Sequence, residues 1–235
     1  NITLLRDIKP NIDEIKSKLA MFCSVDTDNV IVALDASNIY LIPNQYHLEG
    51  LDKQICKHFN ISTNKTEIMI EQSIKDKWAK LTKVVLNPAH NIKIAVAGKY
   101  TKLKDAYLSL TQAIAHAGYA NDAKVEISWI DAEDSFETIE KQLFDVKCII
   151  VPGGFGARGI DGKMHVIRYA RENKIPFLGI CLGLQLSVIE ACRNIAGLKD
   201  ATSREFSDTG SFVIDFMKNW AKDGEVETRY ENGDK

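Results

Sequence analysis

The chain has 235 residues, 45% of them hydrophobic and 26% charged, which is the makeup of folded globular protein and not of a disordered chain. Lys and Arg number 30 against 32 Asp and Glu, so the formal net charge is −2 and no global basic excess exists to hold nucleic acid. No apolar run approaches the ~20 residues of a membrane-spanning helix, and no basic segment followed by an apolar one opens the chain as a secretion signal would.

The first ninety residues have no steady rhythm. Apolar residues at 12, 15, 19 and 22, with Asp13 and Glu14 at the favoured end, predict a helix after Pro10-Asn11. Val30 to Leu34 reads as a short buried strand. Leu48, Leu51, Ile55 and Phe59 predict helical structure over 46–59. Ile70, Ile74, Trp78 and Leu81 form one stripe of an amphipathic helix over Glu67–Leu81.

From Asn91 the pattern becomes a regular alternation. Strands are predicted at 92–97, 124–130, 147–151 and 175–180, and helices at 105–117, 132–143, 162–172 and 182–193. Four strands alternating with four helices imply βαβ units, hence an α/β fold with a doubly wound, mostly parallel sheet covered on both faces. After Asp200 the pattern is less regular, although Phe212–Trp220 could form a strand or the edge of a lobe. In such folds the working residues gather where strands end at their carboxyl edge. That rule points to Gly98-Lys99-Tyr100, to Pro152 through Gly159 and to Gly179 through Gly183.

Gly179-Ile180-Cys181-Leu182-Gly183 is the strongest chemical signal. It is a G-x-C-x-G pattern between a predicted strand and a predicted helix, the cysteine counterpart of the nucleophile elbow. A sharp strand-to-helix turn exposes the nucleophile, small residues on either side relieve crowding, and the helix N-terminus favours thiolate. The Leu182 N–H would be a natural oxyanion donor. The competing reading is a buried structural cysteine, the usual fate of a free thiol. The other four cysteines, Cys23, Cys56, Cys148 and Cys192, complete an odd set without a CxxC pair, which fits a reducing cytoplasm better than a disulfide framework.

Pro152-Gly153-Gly154-Phe155-Gly156-Ala157-Arg158-Gly159 follows another strand end and should lie beside the elbow. Its N–H groups could complete an oxyanion hole; a mobile surface loop or a phosphate cradle are the alternatives. Gly98-Lys99 fails as a P-loop, with Lys93 where the first Gly belongs and Tyr100 where Ser or Thr belongs. A cysteine acyl-transfer site also needs a base. The five histidines are His47, His58, His90, His116 and His165, and none follows Cys181. His165 reads as a helix-face residue, and no base is assigned.

Gly179 through Gln185, with Pro152 through Gly156 upstream, resembles the class I (triad) glutamine amidotransferases. Ala97-Gly98-Lys99-Tyr100, Arg158-Gly159, Thr202-Ser203-Arg204-Glu205-Phe206, Ser37-Asn38-Ile39-Tyr40 and Gly50-Leu51-Asp52 narrow the resemblance to the CTP synthase family, over essentially the whole chain. The resemblance implies amination of UTP to CTP with ATP and glutamine. It implies Mg2+ beside ATP, GTP as an activator of glutamine hydrolysis, CTP as a feedback inhibitor, a homotetramer and a cytoplasmic home, with no nucleic-acid or membrane partner. By position, Cys181 would be the nucleophile, Gly154 and Leu182 the oxyanion donors, and Gln185 and Glu205 the groups that hold glutamine. Phe155 and Arg158 would belong to a lid that responds to GTP, and Arg6 and Asp35 would line the ATP site; no residue is assigned to a metal.

The same resemblance divides the chain into the end of a synthetase domain (residues 1–65), an interdomain linker helix (66–90) and most of a glutaminase domain (91–235). The family's P-loop is absent and its His-x-Glu pair would lie beyond Lys235, so a piece of a longer protein, itself inactive, is expected. Two other readings stay open: a non-catalytic scaffold of the same fold, or the glutaminase component of another synthetase, such as that of GMP.

Overall fold

The computed structural model describes residues 3–6, 11–61, 72–99, 101, 104–215, 219–222 and 225–228. It divides into two compact units, residues 1–90 with 117–124, and residues 91–116 with 125–235.

In the first unit, strands β1 (Thr3–Arg6) and β2 (Val30–Ala33) pair in parallel, from Thr3 opposite Val30 to Arg6 opposite Ala33. Helix α1 (Ile12–Cys23) carries Asp13 and Glu14 in its first turn, where the helix dipole favours them. The helical stretch expected over 46–59 is two helices, α2 (Ile42–Leu48) and α3 (Leu51–His58). Gly50 separates them with φ +80°, a left-handed backbone that an α-helix cannot continue. Helix α4 (Gln72–Leu86) runs further than the expected end at Leu81 and stops shortly before Pro88, which disfavours helical geometry in the residue ahead of it. The expected start of that helix, residues 67–71 with Ile70, lies outside the described residues. Trp78 packs edge-on to Tyr40, ring centroids 6.0 Å apart, and Ile74 is exposed, so the predicted stripe is only partly buried.

The second unit is built on a four-stranded sheet of order β4-β3-β5-β6, with β3 (His90–Gly98), β4 (Ala123–Asp131), β5 (Ile149–Val151) and β6 (Phe177–Gly179). β5 pairs in parallel with β3 on one side and β6 on the other. The chain starts at β3, steps outward to β4, then crosses back to β5, so the order reverses between β3 and β5. Side chains alternate along the strands and separate two cores. Ala95, Ala97, Ile149 and Val151 join Ile139 and Leu143 of α6 (Phe136–Leu143), Val166, Ile167 and Ala170 of α7 (Ile160–Glu172), and Leu182, Leu186 and Ile189 of α8 (Leu182–Asn194). Ile94, Val96 and Ile150 face the other way, onto Ile114 of α5 (Leu108–Ala120). Both faces of the sheet are therefore covered, as the run of alternating strands and helices predicts.

The strand and helix bounds differ from expectation where local polar chemistry intervenes. The helix expected from Ala132 begins at Phe136, because Asp131 Oδ1 accepts from the Glu133 N–H (3.1 Å) and turns the chain. Ser135 Oγ then accepts from the Thr138 N–H (3.4 Å) as the N-cap. Helices α7 and α8 are tied by Arg171, whose Nη2 donates to Oε1 of the buried Glu190 at 2.8 Å. The region after Asp200 holds β7 (Ala201–Ser203) parallel to β8 (Ser211–Ile214), and β9 (Asn219–Lys222) antiparallel to β10 (Glu225–Thr228). The span expected as one element over Phe212–Trp220 thus falls on two strands, with residues 216–218 outside the described set. Among the described residues no helix is long and apolar enough to cross a membrane.

Candidate active site

β6 ends at Gly179 and α8 begins at Leu182, which leaves Ile180 and Cys181 to make the whole reversal from strand to helix. The backbone does it through Cys181, at φ +53° and ψ −111°. A non-glycine residue in that conformation stores about 1–3 kcal/mol of strain, which persists only where the surroundings enforce it. The enforcement is visible. A Cβ on Gly179 would lie 2.6 Å from Gly183 C and Leu184 N, and a Cβ on Gly183 would overlap the carbonyl oxygen of Val151. The two glycines thus let α8 start directly against β5 and β6. Cys181 is exposed at the start of the helix, its carbonyl accepting the Gln185 N–H at 3.1 Å.

The loop after β5 lies against this turn. A Cβ on Gly153 would stand 3.4 Å from Cys181 Cβ and 3.9 Å from its Sγ. A Cβ on Gly154 would stand 3.6 Å from Leu182 Cδ2 and 3.4 Å from Lys163 Nζ. Gly154 therefore packs against Leu182, and Gly153 against Cys181. Gln185 sits half-buried on the first turn of α8.

Three charged side chains hold the rest of the loop. Lys99, just past the end of β3, donates its ammonium to the carbonyls of Phe155 (2.6 Å) and Gly156 (3.3 Å). Glu205, in the turn after β7, accepts the Gly156 N–H at 3.0 Å. Arg158 forms a two-pronged pair with Glu133, Nε to Oε1 and Nη2 to Oε2, the latter at 2.6 Å. That hydrogen bond from Arg158 holds the Glu133 carboxyl below its ordinary range, and the nearby charge of Lys99 adds to it. Phe155, between these anchors, is 86% exposed.

Asp35 lies in the first unit, two residues beyond Ala33, which is the register partner of Arg6; the Arg6 side chain is outside the described set. His165 is engaged elsewhere, with Nε2 2.9 Å from Glu140 Oε1 and its ring stacked on Phe136, centroids 4.2 Å apart. Among the described residues no group of three or more His, Cys, Asp or Glu could hold a metal ion. Lys163 and Glu133 were not singled out by the sequence reading. A lysine in step with Val166, Ile167 and Ala170 on one helix face was the available signal for the first; nothing local marks Glu133, which meets Arg158 across 25 residues.

Residues 102–223 match the family model "Glutamine amidotransferase class-I", and residues 1–61 match "CTP synthase N-terminus". The CTP synthase of Halalkalibacterium halodurans is 46% identical over 219 residues, which cover 92% of this chain and 40% of the relative. That of Bdellovibrio bacteriovorus is 47% identical over 210 residues, 87% of this chain and 38% of the relative. The chain thus spans about two fifths of the length of the curated relatives it matches. A solved structure, the glutaminase domain of Trypanosoma brucei CTPS with bound acivicin, is 38% identical, with a TM-score of 0.48 over 51% of this chain and 47% of that one.

Proposed function

The chain belongs to the glutamine amidotransferase class-I family, in its CTP synthase branch, and we propose that its second unit hydrolyses glutamine at Cys181 for an enzyme that aminates UTP to CTP with ATP. The strained Cys181 at the strand-to-helix turn, with Gly153 and Gly154 packed against it, is the observation that carries this reading.

The chemistry follows from the placement. Cys181 Sγ adds to the side-chain carboxamide carbon of glutamine, and the carbonyl oxygen takes up negative charge. The N–H groups of Gly154 and Leu182 meet that charge, and the C–N bond then breaks as ammonia leaves with a proton. Water cleaves the thioester to glutamate. None of the five histidines of this chain is assigned the proton transfers. Gln185 and Glu205 hold the substrate, the carboxylate of Glu205 facing the α-ammonium. Phe155 and Arg158 belong to a lid that answers GTP. Residues 1–65 complete a synthetase domain, with Arg6 and Asp35 at its ATP site, and residues 66–90 join the two parts. CTP feedback, a homotetramer and a cytoplasmic setting belong to the same reading. No residue of this chain is assigned to the Mg2+ that accompanies ATP.

A glutamine-like chloroketone tests the reading. In the complete protein it should label Cys181 ahead of Cys23, Cys56, Cys148 and Cys192, and free glutamine should protect. Labelling of Cys23 or Cys148 first, or labelling of Cys181 without protection, would favour a scaffold that keeps the fold.

Glu205 gives a second test. A charge-assisted bond to the substrate ammonium is worth about 1.5–3 kcal/mol, and exposure of Glu205 places it at the low end. Glu205→Ala should raise the glutamine KM about tenfold, while CTP formation from added ammonia continues. Equal loss of both activities would make Glu205 a structural residue.

A further inference from the structure

Lys163 lies on the face of α7 that turns Val166, Ile167 and Ala170 into the core, and it is 1% exposed. Lysines this deep are almost always paired. Among the described residues no hydrogen bond and no ion pair is seen at its ammonium, yet Nζ keeps a sliver of solvent contact, since the one wholly buried side-chain polar atom without a partner there is Gln142 Oε1. The stem runs through the core and brings Nζ to 3.4 Å from the point a Gly154 Cβ would occupy, beside Leu182 Cδ2 at 3.6 Å from that point.

The neighbouring like charge is Lys99, whose ammonium donates to the carbonyls of Phe155 and Gly156. Two ammonium groups therefore lie along residues 154–156, Lys99 on the carbonyls of 155 and 156 and Lys163 beside Gly154, and among the described residues that of Lys163 has no protein acceptor. Burial, with the like charge of Lys99 added, makes Lys163 release its proton more readily than a lysine in water. An ammonium in such a place, met by a sliver of solvent and by no protein acceptor, is stabilised when a negative group arrives beside it. Gly154, against which it sits, is the peptide assigned to the oxyanion of the glutamine carboxamide.

With Cys181 read as the nucleophile, we propose that Lys163 is a positioning residue for the oxyanion, holding a positive charge beside the Gly154 peptide where the carboxamide oxygen turns negative. It touches neither substrate nor Sγ; it acts through the Gly154 peptide. The charge matters in the transition state more than in the bound substrate, so it should affect kcat and leave KM nearly unchanged.

The test compares the complete protein with Lys163→Met, which keeps the length and apolar stem and removes the charge. Two alkylating agents are used, the anion iodoacetate and the neutral iodoacetamide, and the Cys181 peptide is followed for both. A buried cation concentrates anions nearby, by about tenfold or more. The iodoacetate-to-iodoacetamide rate ratio at Cys181 should fall by about that factor in Lys163→Met. The glutamine-dependent kcat should fall about tenfold with KM within twofold, and ammonia-dependent CTP formation should persist. An unchanged ratio, with Cys181 still the first thiol to react, would overturn the role of Lys163 alone. A wild-type protein in which Cys181 is not the first to react would overturn the nucleophile instead. If Lys163→Met loses the ammonia-dependent rate, Lys163→Gln is read in the same way. Loss of that rate in both variants would make Lys163 a packing residue and end the proposal.

Discussion

Cys181→Ala in the complete protein should reduce glutamine-dependent CTP formation by about four orders of magnitude or more, because no other group on this turn can form the acyl intermediate. Ammonia-dependent CTP formation should remain, since ammonia supplied from solution bypasses the step that needs sulfur. A parallel loss of both rates would mean that the turn is a structural joint for the whole enzyme. Cys181→Gly adds a second readout. The cysteine backbone at φ +53° and ψ −111° is strained, and glycine adopts such angles without a Cβ penalty. Cys181→Gly should therefore be as inactive as Cys181→Ala yet unfold at higher denaturant concentration, by an amount worth about 1 kcal/mol. The two results together would mark Cys181 as a nucleophile held against local stability, the pattern of a site selected for chemistry.

The strand-to-helix turn was legible because its signals are local. Gly179, Cys181 and Gly183 stand within five residues, and the apolar run ahead of them and the helical spacing after them fix the direction of the chain. The sheet was legible for a similar reason: buried strands leave short apolar runs, and the helices between them carry one-sided stripes. Boundaries were less so. The chain from Asp131 to Ser135 has no helix breaker, and the late start of α6 is set by two side-chain acceptors, Asp131 and Ser135. Gly50 was available as a sign that the helical stretch over 46–59 is broken, and its weight is clear only with its φ of +80° in hand.

The loop shows the opposite case. Its glycines announce flexibility, yet its anchors come from 25 to 57 residues away in the chain: Glu133 on Arg158, Glu205 on Gly156, Lys99 on Phe155 and Gly156. The partnership of Glu205 with the Gly156 N–H also links the two roles expected of this region. The carboxylate expected to hold the glutamine ammonium already holds the loop that carries Phe155, so occupancy of one bears on the other through a single side chain. No periodicity could reveal that, because long-range pairs of this kind depend on which strand ends the sheet order brings together at the reversal between β3 and β5.

Gly183→Ala should be among the most damaging single-methyl substitutions in the second unit. On helix propensity alone the change is favourable, by about 1 kcal/mol at most, since Gly183 is the second residue of α8 and alanine is the better helix former. The packing reverses the sign. An added Cβ would overlap the carbonyl oxygen of Val151 and stand 2.8 Å from its carbon and 3.1 Å from its Cβ. These are backbone and β-carbon atoms of a central strand, with no rotamer by which to yield, so α8 or β5 must shift. Overpacking of this kind costs about 3 kcal/mol or more. Gly197→Ala is the natural control, having open space around the new methyl and only the left-handed backbone at φ +76° to oppose it, for about 1 kcal/mol. Urea unfolding of the two variants in the complete protein should separate them by about 2 kcal/mol or more. Gly183→Ala should also slow alkylation of Cys181, because a displaced α8 no longer holds the thiol at the turn, whereas Gly197→Ala should leave that rate alone. Equal unfolding midpoints would show that the contact between α8 and β5 is loose, and that the strain at Cys181 is not enforced by the two glycines beside it.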